Sequence, residues 1–166
     1  VMPEIETPGH AACVLAALPF LVDPDEKPDS YQPVQGYPNN SWNPGMPETF
    51  TVLERIIDEL SAIFPSKHFH IGGDEVPGSE WDHNEAVLAQ MEALGLKDSR
   101  EMQGYFITRM RDFLAEQGRI LVGWDEILEG GLAPGATVMS WRGISGGIDA
   151  ARLGRDVIMT PGSHLY

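Results

Sequence analysis

Two hydrophobic patterns alternate along this chain. Residues 1–6, 67–72, 119–126, 136–142 and 156–160 are short, mostly apolar runs that end in polar residues, which is how buried strands read. Residues 48–64 instead carry Phe50, Leu53, Ile56, Ile57, Leu60 and Ile63 at helical spacing between Pro47 and Pro65. Helices are also expected after the turn Thr7-Pro8-Gly9-His10 as far as Pro19, over about 84–94 and 98–117, and over 144–153. Five strands alternating with helices predict a parallel sheet with helices on its outer side. Residues 20–47 break the pattern, with prolines at 24, 28, 33, 38, 44 and 47 and with Tyr31, Tyr37 and Trp42 among them. They read as a long irregular loop insertion, either a lid or rim of a site or a surface decoration.

The unusual polar and aromatic residues decide between a barrel and an open sheet. Glu6 and His10, Asp74 and Glu75, Trp124 to Glu126, Trp141 and Arg142, and His164 and Tyr166 all follow the carboxyl ends of strands. Five strands then feed one rim, as in an eight-stranded barrel, whereas an open sheet concentrates its site at one switch point. No Gly-x-Gly-x-x-Gly follows a strand, so a dinucleotide site has no support. A complete barrel takes roughly 250 residues, and this sequence of 166 starts on a strand and stops just after one. The expectation is an α/β chain forming part of a (β/α)8 TIM barrel, with residues 1–166 as an incomplete catalytic domain truncated at both ends.

Composition narrows the partners. A formal net charge of −14 disfavours nucleic acid and anionic membranes, which need clustered Lys and Arg. No apolar run approaches the length of a membrane span, and no signal-peptide pattern is visible. The lone Cys13 excludes an internal disulfide and, within Ala11-Ala12-Cys13-Val14-Leu15, is expected to be a buried small hydrophobe.

The stretch with the clearest chemistry is Lys67-His68-Phe69-His70-Ile71-Gly72-Gly73-Asp74-Glu75. A buried strand runs into two glycines that free the backbone, so two adjacent carboxylates can be aimed independently. His70-Ile71-Gly72-Gly73-Asp74-Glu75 resembles the acid motif of the β-N-acetylhexosaminidases of glycoside hydrolase family 20. Pro3-Glu4-Ile5-Glu6-Thr7-Pro8-Gly9-His10 is similar to that family's third strand, Gly123-Trp124-Asp125-Glu126 to its fifth, Ser140-Trp141-Arg142-Gly143 to its sixth and Ser163-His164-Leu165-Tyr166 to its seventh. Five matches in register cover nearly the whole chain and correspond to strands 3 to 7 of the barrel.

The resemblance implies a retaining exo-glycosidase for terminal β-linked N-acetylglucosamine or N-acetylgalactosamine, with no cofactor and no metal. Glu75 would be the general acid, because cleavage needs a proton on the leaving oxygen. The substrate's own 2-acetamido oxygen would replace a protein nucleophile. Asp74 would accept the acetamido N–H and Tyr166 would donate to the acetamido oxygen. Trp124 and Trp141 would wall the pocket, and Asp125 and Glu126 would orient Trp124 or bind sugar hydroxyls. His10, Glu6, His70 and Arg142 would act behind them; the family often has Asp where this chain has Glu6. Family members usually work outside the cytoplasm. The family's remaining sugar-gripping residues match nothing in 1–166, so the isolated chain is expected to be weakly active or inactive, and its unpaired sheet edges to favour self-association.

Two other readings compete. His68 and His70 stand on one face of a strand, with Asp74 and His10 as further ligands for a metal-dependent barrel hydrolase. Alternatively, a carbohydrate-binding protein could keep the sugar pocket without turnover, although it would not need a general acid beside a second carboxylate.

Overall fold

The structure, a computed structural model, describes residues 1–22, 40–76 and 78–165. Five strands, β1 (Glu4–Thr7), β2 (His68–Gly72), β3 (Ile120–Trp124), β4 (Thr137–Ser140) and β5 (Val157–Met159), form one parallel sheet in sequence order. Between them run α1 (Ala12–Ala17), α2 (Pro47–Ile63), α3 (Glu85–Leu94), α4 (Ser99–Glu116) and α5 (Ser145–Arg152), and α6 (Gly162–Leu165) follows β5. Sequential parallel strands with helical crossovers are the order expected for a segment of a (β/α)8 barrel.

The apolar stripe of α2 does what its spacing implies: Phe50, Leu53 and Ile57 are buried against the sheet, and Pro47 occupies the first turn. On α3 and α4 the first turns are capped by side chains, Asn84 accepting from the Val87 amide and Asp98 from the Glu101 amide. The core between helices and sheet centres on Phe69, Ile71, Phe106, Ile107, Met110, Leu121 and Val138.

Two sequence expectations change. Cys13 is exposed, because α1 turns Leu15 into the core and a residue two positions away falls on the opposite side of the helix. Of the 20–47 stretch, residues 23–39, including Tyr31 and Tyr37, lie outside the described residues. Its described return, residues 40–46, is built into the body. Asn40, Ser41 and Asn43 are buried, and Trp42 is 0% exposed. The Trp42 amide donates to the Pro8 carbonyl at 2.8 Å and its indole N–H to the Glu6 carbonyl at 3.2 Å, so this segment holds the end of β1 from outside the sheet.

Candidate active site

The carboxyl ends of β1 to β4 surround an open cleft of about 540 Å³ lined by Glu4, Glu6, His10, Asp74, Glu75, Trp124 and Trp141. The acid loop after β2 depends on Gly72, whose φ is +74 and whose place a Cβ could not share, since it would come within 2.4 Å of Glu6 Oε2. Gln103 on α4 donates to the Gly73 carbonyl at 2.8 Å and anchors the loop from behind. Glu75 then adopts φ 48 and His10 φ 52, a left-handed conformation that non-glycine residues seldom take. Both residues meet at Asp74. His10 Nε2 lies 3.1 Å from Asp74 Oδ2 and 3.6 Å from Glu75 Oε2.

Behind Asp74 stands Glu6. Burial, with the nearby charges of Asp74 and Glu4, pushes the Glu6 carboxyl up to about 8, so it carries a proton at neutral pH. Glu6 Oε2 and Asp74 Oδ1 are both buried and have no hydrogen-bond partner among the described residues. Glu6, His10 and Asp74 are also described side chains of metal-ligating type whose ligand atoms all lie within 4.8 Å of one another, with His10 Nε2 bonded to Asp74 Oδ2. Neither His68 nor His70 belongs to that group. His70 is fully buried, and its ring meets Trp124 edge-on at 4.7 Å between centroids.

Glu4, which the sequence reading passed over as a site residue, lies directly opposite His70 in the β1–β2 register. His70 Nδ1 is 2.9 Å from Glu4 Oε1 and 3.1 Å from the Gly72 amide nitrogen. One nitrogen cannot donate to the first and accept from the second. The shorter, charge-assisted contact assigns the proton to Nδ1, facing Glu4. This contact holds the Glu4 carboxyl below its ordinary range, and the Trp124 side chain acts on it in the same direction.

Trp124, the last residue of β3, and Trp141, just after β4, both face the cleft. Asp125 and Glu126 do not line it. Asp125 is 2% exposed and accepts from Arg142 Nε at 3.1 Å. Glu126 takes the indole N–H of Trp141, at 3.0 and 3.3 Å to its two oxygens, rather than that of Trp124. Burial pushes Glu126 up to about 7. A short 3₁₀ turn, Asp125–Leu128, causes the difference: it carries the chain behind the β4 end, where a continued strand would have kept these acids on the rim. Arg142 completes the group at 2.8 Å from Glu129 Oε1. His164 is exposed on α6, away from the cleft lining, and Tyr166 lies outside the described residues.

With this geometry in place, comparison with known proteins is decisive. The model of the glycosyl hydrolase family 20 catalytic domain matches residues 1–166. The chain belongs to that family. It is 48% identical over 165 residues to a beta-hexosaminidase of Porphyromonas gingivalis, covering 98% of this chain and 21% of that protein. It is 36% identical to a beta-hexosaminidase of Vibrio furnissii, covering 27% of it. Among solved structures, the family 20 exo-β-N-acetylglucosaminidase of Vibrio harveyi in complex with N-acetylglucosamine superposes with a TM-score of 0.89 at 34% identity, over 96% of this chain and 25% of that one. The chain thus spans about a fifth to a quarter of the length of these relatives, and its five-stranded sheet is part of a family 20 TIM barrel.

Of the residues that shape this family 20 site, Glu4, Gln103 and Trp42 were missed, whereas Glu6 was expected. Glu4 and Glu6 alternate with Ile5, so period-two spacing alone puts both carboxyls on the face that looks into the barrel. Gln103 and Trp42 had no such local signal, because each acts across more than 25 residues of sequence.

Proposed function

We propose that the whole protein containing this chain is a β-N-acetylhexosaminidase, which removes terminal β-linked N-acetylhexosamine by a substrate-assisted, retaining mechanism. The observation that carries the reading is the single imidazole, His10, within 3.1 Å of Asp74 and 3.6 Å of Glu75 at the base of a cleft walled by two tryptophans.

In the first step the acetamido oxygen of the bound sugar attacks the anomeric carbon while the bond to the leaving oxygen breaks and Glu75 protonates that oxygen. A cyclic oxazolinium-type intermediate results. Asp74 accepts the acetamido N–H, steadying the positive charge that develops there. It can do so because His10 occupies only its Oδ2 and the protonated Glu6 behind it adds no second negative charge. Water then attacks the anomeric carbon, reopens the ring with net retention, and returns its proton to Glu75. Tyr166 is assigned the hydrogen bond to the acetamido oxygen on the resemblance of Ser163-His164-Leu165-Tyr166 to the family's seventh strand. Trp124 and Trp141 supply apolar faces that exclude water from the intermediate and stack on sugar C–H groups.

The same proposal places turnover with the whole protein and leaves the 166-residue chain alone weakly active and prone to associate through the β1 and β5 edges, which have no partner strand among the described residues. An extracytoplasmic setting rests on the resemblance; no helix of the described residues is long and apolar enough to cross a membrane. The test compares the whole protein on an aryl β-N-acetylglucosaminide and on the aryl β-glucoside that lacks the acetamido group, with a thiazoline analogue of the cyclic intermediate as inhibitor. Turnover of the first alone, with tight inhibition, is expected. Tight binding without turnover would leave a carbohydrate-binding protein, and equal turnover of both glycosides would exclude assistance by the acetamido group.

A further inference from the structure

The indole N–H groups of Trp42, Trp81 and Trp141 each have an acceptor, and the acceptors divide by location. Trp42 and Trp81, both in the interior, donate to backbone carbonyls, of Glu6 and of Trp42 respectively, each at 3.2 Å. Trp141, which faces the cleft, donates to a carboxylate instead, Glu126 at 3.0 Å, and the Trp124 side chain, also facing the cleft, acts on the Glu4 carboxylate. A backbone acceptor is fixed with the main chain, but a carboxylate on a flexible stem must itself be held.

Both carboxylates are held. Glu4 faces His70 across β1 and β2 at 2.9 Å, and the same imidazole stands edge-on against the Trp124 ring. Glu126 faces Arg142 at 3.7 Å, and the guanidinium is tied down by Asp125 at 3.1 Å and Glu129 at 2.8 Å. Each wall therefore has a brace against it, Glu4 from within the cleft lining and Glu126 from outside that lining. The N–H is also the one strongly directional contact an indole can make; its apolar faces tolerate tilt and sliding, whereas hydrogen bonds weaken steeply with angle.

We infer that Glu4 and Glu126 are positioning residues that set the tilt and separation of the Trp124 and Trp141 indoles, and thereby limit the size of the N-acyl group that the cleft admits. This rests on the N-acetylhexosaminidase reading, because it takes the slot between these walls as the seat of the acyl group. A rigid apolar slot distinguishes ligands that differ by one methylene by roughly 10- to 200-fold, and a slot whose wall can yield loses that discrimination.

The experiment uses the whole protein with Glu126→Ala, Glu126→Gln, Glu4→Ala and Glu4→Gln, assayed on aryl β-glucosaminides bearing N-acetyl, N-propionyl and N-butyryl groups. The indole N–H resonances of Trp124 and Trp141 are followed in parallel by ¹⁵N NMR. In Glu126→Ala the preference in kcat/KM for N-acetyl over N-propionyl should shrink by roughly tenfold, within the span one methylene can command, and the Trp141 indole resonance should move. Glu126→Gln keeps an oxygen acceptor and should keep both the ratio and the resonance near those of the wild type. The Glu4 pair should behave in the same way toward Trp124. A loss spread equally over all three substrates, or indole resonances unmoved in the alanine variants, would overturn the inference. If the wild type turned over none of the three, the activity reading would fail and the acyl selectivity with it, while the resonances would still decide whether the carboxylates hold the walls.

Discussion

His10 and Asp74 are 64 residues apart in the chain and 3.1 Å apart in the fold, where the imidazole Nε2 meets Asp74 Oδ2 and also stands 3.6 Å from Glu75 Oε2. One ring therefore spaces the two acids that the chain places side by side. His10→Asn, whose short side chain tolerates the left-handed backbone at φ 52, should keep the fold but leave Asp74 without this imidazole partner and lower kcat more than it raises KM. Steady-state kinetics on the N-acetylglucosaminide decide it; an unchanged kcat would show that the contact has no part in turnover.

The proposed roles of Glu75 and Asp74 predict unequal losses. Glu75→Gln should cost roughly 10²- to 10⁴-fold on glycosides with poor leaving groups, the usual contribution of a positioned general acid, and much less on activated aryl substrates that need no protonation. Asp74→Asn should lower both classes together by roughly 10²- to 10³-fold, as for loss of one oriented group facing the developing charge. A plot of log kcat/KM against leaving-group basicity should steepen for the first variant and merely drop for the second. Parallel drops for both would remove the division of labour.

Glu6 links stability to pH. Its carboxyl is raised in the folded state to about 8 by burial and by its neighbouring acids, against an ordinary glutamate value of 4.5. Above 4.5 the unfolded chain releases this proton while the folded chain keeps it, so the native state binds more protons and stability must fall as pH rises from about 4.5 toward 8. Glu6→Gln, permanently neutral, should flatten that decline in thermal midpoint measured across the same range. A slope identical to the wild type's would mean that Glu6 is ionised in the folded protein. Glu4 has the opposite sign: held low by His70, it contributes stability that is lost as pH falls below the ordinary carboxylate range.

Gln103 reaches over from α4 to the Gly73 carbonyl at 2.8 Å and pins the acid loop from the helix layer. Gln103→Leu should cost about 1 kcal/mol of stability, the worth of a typical hydrogen bond, measured by urea denaturation. It should also reduce kcat, because Asp74 and Glu75 follow directly.

Trp42 tests whether the described end of the 20–47 stretch is structural. Fully buried and bonded to Glu6 and Pro8, it should cost about 3–5 kcal/mol when replaced by Ala, as for other large aromatic truncations in cores. Trp42→Phe, which keeps most of the volume and loses only the N–H bond to the Glu6 carbonyl, should cost about 1 kcal/mol. A near-neutral alanine variant would return this segment to the status of a decoration.

Much of the architecture was readable in one dimension. The alternation of apolar runs and helical stripes placed all five strands and their order, because a parallel strand buried on both faces and an amphipathic helix each leave a local period. The pairing of Asp74 with Glu75 after two glycines, and the tryptophans after the third and fourth strands, were equally local. Cys13 was misplaced because a six-residue helix carries too few positions for its buried face to be told from its neighbours.

Which side chain answers which depended on register and on crossings between layers, where no local period exists. Glu4 meets His70 only because β1 and β2 pair at those two residues, and Glu126 serves Trp141 rather than Trp124 only because a 3₁₀ turn carries it behind the next strand. The same holds for the proton on Glu6, since its cause is burial beside Asp74, 68 residues further along the chain. Composition and spacing thus named the acids and the walls, while the strength and direction of each contact came from distances of 3–4 Å that long-range packing alone brings about.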